Sequence, residues 1–207
     1  MTKTLWRELL YKELSKFDLT GPTLDVGGDR ASHYHALMHH DPEEIRVANL
    51  EAKEASDIAC DLEEGIPVPD SAFKNVLCIN VLEHIFKYQQ LLTEMSRVMQ
   101  KDGVLVLAVP FIIAYHPSPR DHWRFTAETL ERIVSEAGFK DVYITTIGTG
   151  VFGAIFQLSH GFLHFNIMRY AVRALAIFLD KVVSRVRKKS VYSSTYYPLG
   201  FLVQARK

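Results

Sequence analysis

Apolar positions recur at two different spacings along this chain, and the two spacings alternate. Short, nearly continuous apolar runs, typical of buried strands, occur near residues 22–26, 45–50, 57–60, 75–80 and 103–109. Apolar residues at helical spacing lie between or after these runs, at roughly 32–40, 84–99 and 126–137. Thr126 is the expected N-cap of the third helix, and Gly103 and Gly138 stand where the second and third helices are expected to end. This alternation predicts an α/β fold with a doubly wound, mostly parallel sheet.

The two ends of the chain add further elements. Residues 1–19 are expected to form an amphipathic helix, and they lack the continuous apolar core of a signal peptide. Residues 139–150 alternate like a strand, and residues 197–207 are expected to pair with them as a final antiparallel strand. The predicted architecture is therefore Rossmann-like, with an antiparallel strand added at the end of the chain.

A helical insert at about 151–189 precedes that final strand. No Asp, Glu, Lys or Arg occurs from Val142 to Met168, and the insert ends in the basic run 185–189. From Asn166 onward, polar residues recur at helical spacing, at positions 166, 169, 173, 180, 184 and 187. The pattern predicts a long helix that is apolar over most of its circumference but too interrupted to span a membrane. Three interpretations stay open: a cap over the active site, a homodimer interface, or a helix lying in a membrane surface.

Composition limits the class of protein. A chain of 207 residues that is 48% hydrophobic can form one domain, here residues 1–207. Lys plus Arg and Asp plus Glu both total 24, so nothing in the net charge favours a nucleic acid partner. The two cysteines, Cys60 and Cys78, lie in strand-like runs, which favours reduced thiols and a cytoplasmic location, with peripheral membrane contact as an open alternative.

Polar residues follow four successive predicted strands, and ligands of doubly wound sheets bind at the carboxyl ends of strands. The strand ends carry these groups in order: Asp25 with Gly27 and Gly28, then Asn49 and Glu51, then Asp61, then Asn80 with Glu83 and His84. Asp29 stands in the first loop where a dinucleotide site would have glycine. A carboxylate there would repel a phosphate but tolerate a sulfonium and an ammonium, so the loop disfavours an NAD-dependent oxidoreductase.

The segments "TLDVGG" and "IPVPDSAFKNVLCINVLEHI", the latter leading to "SRVMQKDGVLVLAVP", resemble the small type-11-like group of class I S-adenosylmethionine-dependent methyltransferases. The likeness covers about residues 22–147. It implies S-adenosylmethionine as the cofactor. Carried over by position, it implies a set of cofactor contacts: Asp25, Gly27 and Gly28 in the first loop, Glu51 or Asn49 at the ribose, Asp61 and Leu62 at the adenine, and Asn80 to Leu82 along the cofactor. The sequence departs from the family at Asp29 and Ala31, where glycine is usual, and at Asn49, where an Asp is usual.

The loop after the fifth strand is the expected acceptor wall, because functional loops carry polar residues on a rigid scaffold. It holds Tyr115, His116, Arg120, Asp121, His122, Trp123 and Arg124. His116 is the predicted proton acceptor, with His84 and Asp121 as further candidates. Arg120 or Arg124 could hold an anionic acceptor, whereas Trp123 and Arg124 could instead lock the loop onto the following helix.

No metal site is expected. His33, His35, His39 and His40 lie on a short predicted helix without a carboxylate or thiol to complete a ligand set, and a solvated helix face explains them better.

These observations predict a methyltransferase that acts on a small-molecule, glycan or lipid-linked acceptor by O- or N-methylation. The alternative is a catalytically inactive binding module that uses the apolar insert for a partner or a membrane. Fold alone does not decide between them.

Overall fold

The protein is built on one mixed sheet. The computed structural model describes residues 4–162, 165–186 and 192–207, and within these ranges the strand order is β3-β2-β1-β4-β5-β7-β6. The strands are β1 (Thr23–Val26), β2 (Ile45–Asn49), β3 (Ile58–Ala59), β4 (Phe73–Ile79), β5 (Met99–Pro110), β6 (Lys140–Ile147) and β7 (Gly200–Arg206). The first five strands are parallel, and β7 runs antiparallel to both β5 and β6. The predicted Rossmann-like class with a final antiparallel strand is confirmed.

Helices cover both faces of this sheet. They are α1 (Leu5–Leu14), α2 (Tyr88–Val98), α3 (Ala127–Glu136), α4 (Val151–Ser159) and α5 (Asn166–Val186). Successive side chains of a strand point to opposite faces, so in β4 Val76 and Cys78 pack with α2 and α3, while Leu77 and Ile79 pack with α1, α4 and α5. The apolar runs of the central strands are explained by this burial on both sides.

Two of the predicted helices differ from the observed ones. Residues 32–40 form turns instead of a helix, because Tyr34 and His35 turn back to bond the buried carboxylate of Asp25. The helix expected at 84–99 begins only at Tyr88, and β5 already begins at Met99.

Of the two glycines expected to end helices, Gly138 does so and Gly103 does not. Gly103 does not end α2 but lies inside β5, where an added Cβ would come within 2.5 Å of the Lys74 carbonyl oxygen. The expected N-cap of α3 is confirmed, since the Thr126 side chain accepts the Thr129 N–H, and Gly138 follows the helix with φ +94°.

The insert folds as α4 and α5, and α5 has an unusual orientation. Its polar positions Arg173 and Asp180 face the protein, where Arg173 bonds Glu8 of α1 and Asp180 is buried. Its outward face is largely apolar. No helix among the described residues is long and apolar enough to cross a membrane. Positions 187–189 of the predicted basic run lie outside the described residues.

Asp180 holds α5 against the start of α4. Its carboxylate accepts the Thr149 hydroxyl at 2.7 Å and the backbone N–H groups of Phe152 and Gly153 at 3.0 and 2.9 Å. These N–H groups belong to the first turn of α4 and have no intrahelical acceptor, so the carboxylate caps that helix from another element.

We expect Asp180→Ala to lower the free energy of unfolding by about 1–3 kcal/mol, because it leaves buried donors without an acceptor. Urea denaturation followed by circular dichroism measures the change. Ser184→Ala is the matched control on the same helix, since Ser184 is exposed and bonds only the Lys181 carbonyl among the described contacts; it should stay within about 0.5 kcal/mol of the parent. Equal stability of the two variants would contradict the capping role.

Candidate active site

One cavity of about 1070 Å³ opens at the carboxyl ends of the parallel strands. Its first part is lined by residues that follow β1 to β4, among them Gly27, Asn49, Asp61, Leu62 and Asn80. Its second part is lined by the loop after β5, through Ile113, His116, Ser118, Pro119, Arg120 and His122, and by His84. The two sets of residues line one cavity because the strands are parallel, so the loops that follow them all leave the sheet at the same edge.

Helix α1 closes one side of the cavity, which the sequence did not indicate. Trp6 and Tyr11 line it, and the Trp6 indole N–H donates to Asn80 Oδ1 at 2.9 Å. The ring also packs on Gly200, where a Cβ would lie 2.5 Å from the indole carbons. The amphipathic pattern of residues 1–19 predicts the helix, but it does not predict that the helix packs over the carboxyl ends of the strands.

The first loop depends on two glycines and one buried acid. Gly27 has φ +70° and donates its N–H to the Ala48 carbonyl at 2.7 Å. A Cβ at Gly28 would lie 1.8 Å from Asp25 Oδ2. Asp25 is fully buried, and its Oδ2 accepts the Tyr34 hydroxyl at 2.6 Å and contacts His35 Nε2 at 2.9 Å. Asp25 therefore supports the loop from the protein interior and does not line the cavity.

Burial and the adjacent carboxylate raise the pKa of the Tyr34 phenol, so this group stays a donor. Asp25 Oδ1 has no hydrogen-bond partner among the described residues. The sequence predicted a solvated helix face for the histidines of this segment. For His35 this prediction is wrong, because its ring is largely buried against Asp25.

Ion pairs tie the atypical part of this loop to the segment after β2. Asp29 bonds Lys53 Nζ at 2.6 Å, which lowers the pKa of its carboxyl, and its Oδ1 also accepts the Ala31 N–H. Arg30 bonds Asp57 at 3.0 Å. The carboxylate that replaces the usual glycine is thus paired at the surface.

Three of the four predicted ribose and adenine contacts reach the cavity. Asn49 donates from Nδ2 to the Gly28 carbonyl at 2.9 Å, so it also braces the first loop. Asp61 accepts the Glu63 N–H at 2.9 Å, and Leu62 is buried beside it. Glu51, by contrast, is exposed and lies outside the cavity lining.

Two histidines and one buried acid meet at the acceptor end. His84 Nε2 lies 3.7 Å, and His116 Nε2 3.8 Å, from Oε1 of Glu83, whose side chain is fully buried. His84 Nδ1 is 2.6 Å from the Arg120 carbonyl, and His116 Nδ1 is 3.1 Å from the Ala114 carbonyl. Since a carbonyl only accepts, each neutral ring carries its proton on Nδ1 and leaves Nε2 with a lone pair. The Glu83 carboxylate, with Asp121, raises the pKa of His116.

The rest of the acceptor loop braces this arrangement. Asp121 accepts the His116 backbone N–H at 3.0 Å and both guanidinium nitrogens of Arg124 at 2.6 and 2.7 Å. Arg124 holds the pKa of the Asp121 carboxyl well below its usual range, which suits a positioning residue better than a proton acceptor.

The remaining predicted acceptor contacts divide into two groups. The Trp123 ring stacks on Phe86, with ring centroids 5.8 Å apart, and its indole N–H donates to the Ile85 carbonyl at 3.1 Å. Neither Trp123 nor Arg124 lines the cavity, and Tyr115 is 74% exposed outside it. His116, Arg120 and His122 are the predicted loop residues that face the cavity. The contacts of Trp123 and Arg124 hold the loop to residues 85–88 and to itself, and none of them reaches α3, the helix onto which the alternative placed them.

Comparison with known proteins adds independent information. Residues 24–107 match the model of the type-11 methyltransferase domain family. Over 83 residues the chain is 28% identical to a probable S-adenosylmethionine-dependent methyltransferase of Mycobacterium tuberculosis, an alignment that covers 37% of this chain and 30% of that relative. The chain thus matches less than a third of the length of this curated relative.

Solved structures share the whole fold at low sequence identity. A SAM-dependent methyltransferase from Archaeoglobus fulgidus aligns with 97% of this chain and 94% of its own, with a TM-score of 0.58 and 16% identity. The 1,6-didemethyltoxoflavin-N1-methyltransferase of Burkholderia thailandensis, solved with S-adenosylhomocysteine, aligns with 98% of this chain and 80% of its own, with a TM-score of 0.56 and 14% identity. By the family match over residues 24–107 and the shared fold, the chain is similar to the class I S-adenosylmethionine-dependent methyltransferases of the type-11 group.

Proposed function

We propose that the protein transfers a methyl group from S-adenosylmethionine to an oxygen or nitrogen of a small-molecule, glycan or lipid-linked acceptor. The observation that carries this proposal is that the cofactor-side strand ends and the acceptor loop line the same cavity. Its volume of about 1070 Å³ lies just above the 300–1,000 Å³ typical of ligand pockets, so it has room for a nucleoside cofactor and a second molecule.

The residues at the first part of the cavity fit the cofactor. The first loop passes so close to Val81 and Asp25 that neither Gly27 nor Gly28 has room for a Cβ, and the backbone groups of Gly27 at the cavity wall can bond an amino acid group. Asn49 and Asp61 offer polar atoms and Leu62 an apolar wall, as a ribose and an adenine require. When bound, S-adenosylmethionine supplies a methyl group on a reactive sulfonium.

At the second part, the chain's own task is to orient the acceptor and exclude water. The Nε2 lone pairs of His84 and His116 can each accept a hydrogen bond from an acceptor hydroxyl or amine, and His116 is our candidate for taking its proton. Arg120 and His122 line the same region and could hold an anionic group. The Burkholderia enzyme named above acts on a nitrogen of a small molecule, which supports an acceptor of this class.

The first prediction from this proposal concerns the cofactor loop. Gly28→Ala places a Cβ on Asp25 Oδ2, so the loop must move and the affinity for S-adenosylhomocysteine should fall at least tenfold. Calorimetric titration measures it. Gly161→Ala is the matched control, because a Cβ there meets no atom within 4 Å, and it should bind as the parent does. Absence of saturable binding by the parent protein would overturn the proposal and favour an inactive binding module.

The acceptor class can be tested directly with S-adenosylmethionine that carries a tritiated methyl group. The protein is incubated with separate aqueous and organic-phase cell extracts, and Gly28→Ala serves as the cofactor-deficient control. We expect enzyme-dependent label in one of the two phases: the organic phase identifies a lipid-linked acceptor and the aqueous phase a small molecule or glycan. Label in neither phase, with cofactor binding intact, would contradict methyl transfer.

We further propose that α5 docks on an anionic lipid surface, an arrangement that favours the lipid-linked acceptor. Ile167, Phe178 and Val186 on its outward face are 86%, 60% and 76% exposed. The single acid of α5 is the buried Asp180, whereas its exposed cationic residues are Lys181 and Arg185. An exposed apolar face on a basic helix suits the interface of an anionic membrane.

Vesicle sedimentation tests this docking. The protein should pellet with phosphatidylserine vesicles in low salt, less so in high salt, and not with phosphatidylcholine vesicles. The double change Ile167→Ser and Phe178→Ser should weaken binding at least about tenfold, since each buried apolar side chain contributes about 1.5–3 kcal/mol. Tyr143→Ser, at a residue 67% exposed on β6, is the control and should have no effect. A stable dimer that ignores vesicles and is broken by the double change would instead assign the face to a second copy of the chain.

A further inference from the structure

We propose that Glu83, His84 and His116 form a binding site for a divalent transition-metal ion at the acceptor end of the cavity. From the sequence no metal site is predicted, because the histidines at 33–40 have no carboxylate or thiol nearby to complete a ligand set. The fold instead brings His84, just after β4, to His116 of the loop after β5. Imidazole and carboxylate ligands in this combination are typical of zinc and iron sites.

The distances suit a shared ion and exclude a direct hydrogen bond. One ligand atom from each of the three residues lies within 4.8 Å of the other two. The separations of 3.7 and 3.8 Å from Glu83 Oε1 to the two Nε2 atoms are too long for hydrogen bonds. Two ligands of a tetrahedral ion with bonds of about 2.0–2.1 Å are about 3.3 Å apart, so small side-chain rotations would close the set.

Glu83 supplies the independent observation. Its side chain has no solvent exposure, and neither carboxylate oxygen has a hydrogen-bond partner among the described residues. A buried carboxylate without partners is costly, and coordination of a cation removes that cost. The position of Glu83 is fixed by its own backbone carbonyl, which accepts the N–H groups of His122 and Trp123 at 2.9 and 3.1 Å.

The two imidazoles are already held as metal-binding histidines are. Each turns Nδ1 toward a backbone carbonyl, Arg120 for His84 and Ala114 for His116, and so presents the Nε2 lone pair toward Glu83. A bond from the second ring nitrogen to a carbonyl fixes tautomer and orientation in most histidine metal sites. The rings stand nearly edge to face, with centroids 5.0 Å apart, so both can point at one place without clashing.

Three protein ligands leave coordination positions open toward the cavity. An acceptor hydroxyl or carboxylate oxygen could occupy one of them, and a bound cation makes an O–H more acidic. The two histidines would then serve as ligands, and the ion would take over the proton-withdrawing task that we assign to His116 above. This catalytic role rests on the proposed methyl transfer, whereas binding of the ion does not.

The test uses the metal-stripped full-length protein and Zn²⁺ alone, in calorimetric titration, with Co²⁺ absorption as a second signal of histidine coordination. We expect one saturable equivalent and at least a tenfold loss of affinity in Glu83→Gln. Because Glu83 is buried, His116→Asn serves as a second variant on the more accessible loop and should show a similar loss; thermal unfolding confirms that both variants are folded.

His39→Gln is the matched control, since His39 is exposed and outside the cavity, and its affinity should equal that of the parent. The proposal is overturned by absence of saturable binding, by unchanged affinity in both site variants, or by equal loss in the control. Because no cofactor or acceptor is present, these outcomes are independent of the methyltransferase assay. If binding is confirmed but label transfer fails, the metal site stands and the proposed function falls.

Discussion

Two fully buried carboxylates, Asp25 within β1 and Glu83 after β4, organise the two halves of the cavity. Asp25 fixes the glycine loop through Tyr34 and His35, and Glu83 lies between the two histidines of the acceptor end. The thiol of Cys78 lies near both acids, and burial together with their charges raises its pKa. Both acids lie at one edge of the sheet because β1 and β4 are neighbouring parallel strands, so the fold itself brings the two halves together.

The orientation of α5 is a second constraint on function. An amphipathic helix on a globular domain normally turns its apolar stripe toward the core, yet here Arg173 and Asp180 face inward and bond α1 and α4. These polar bonds share the inward face with Ala176 and Ile177, and most of the large apolar residues of the helix are left exposed. The helix is thus held by specific interactions while its apolar face stays available for contact, which is what a docking element needs.

The sequence predicts the elements of this fold better than the details of its site. The parallel strands were predictable because continuous apolar runs require burial on both faces. The failed helix at 32–40 shows the limit: its apolar spacing comes from residues such as Tyr34, whose hydroxyl is directed to Asp25. Placement of Trp6 over Asn80 and of His84 beside His116 depends on contacts between distant segments, and local patterns do not encode them.

The distribution of ion pairs explains how an atypical first loop is compatible with this cofactor. Around the cavity, Asp29 bonds Lys53, Asp57 bonds Arg30, and Asp121 bonds Arg124, so these three basic side chains are engaged by neighbouring acids. The buried oxygens that lack partners among the described residues are instead those of Asp25 and Glu83. A phosphate beside Glu83 would meet a buried carboxylate without a hydrogen-bond partner among the described residues, whereas a cation there would compensate its charge. Glu83 thus disfavours a phosphate at the acceptor end, and Asp29 is tolerated in the first loop because its carboxylate is paired with Lys53 at the surface.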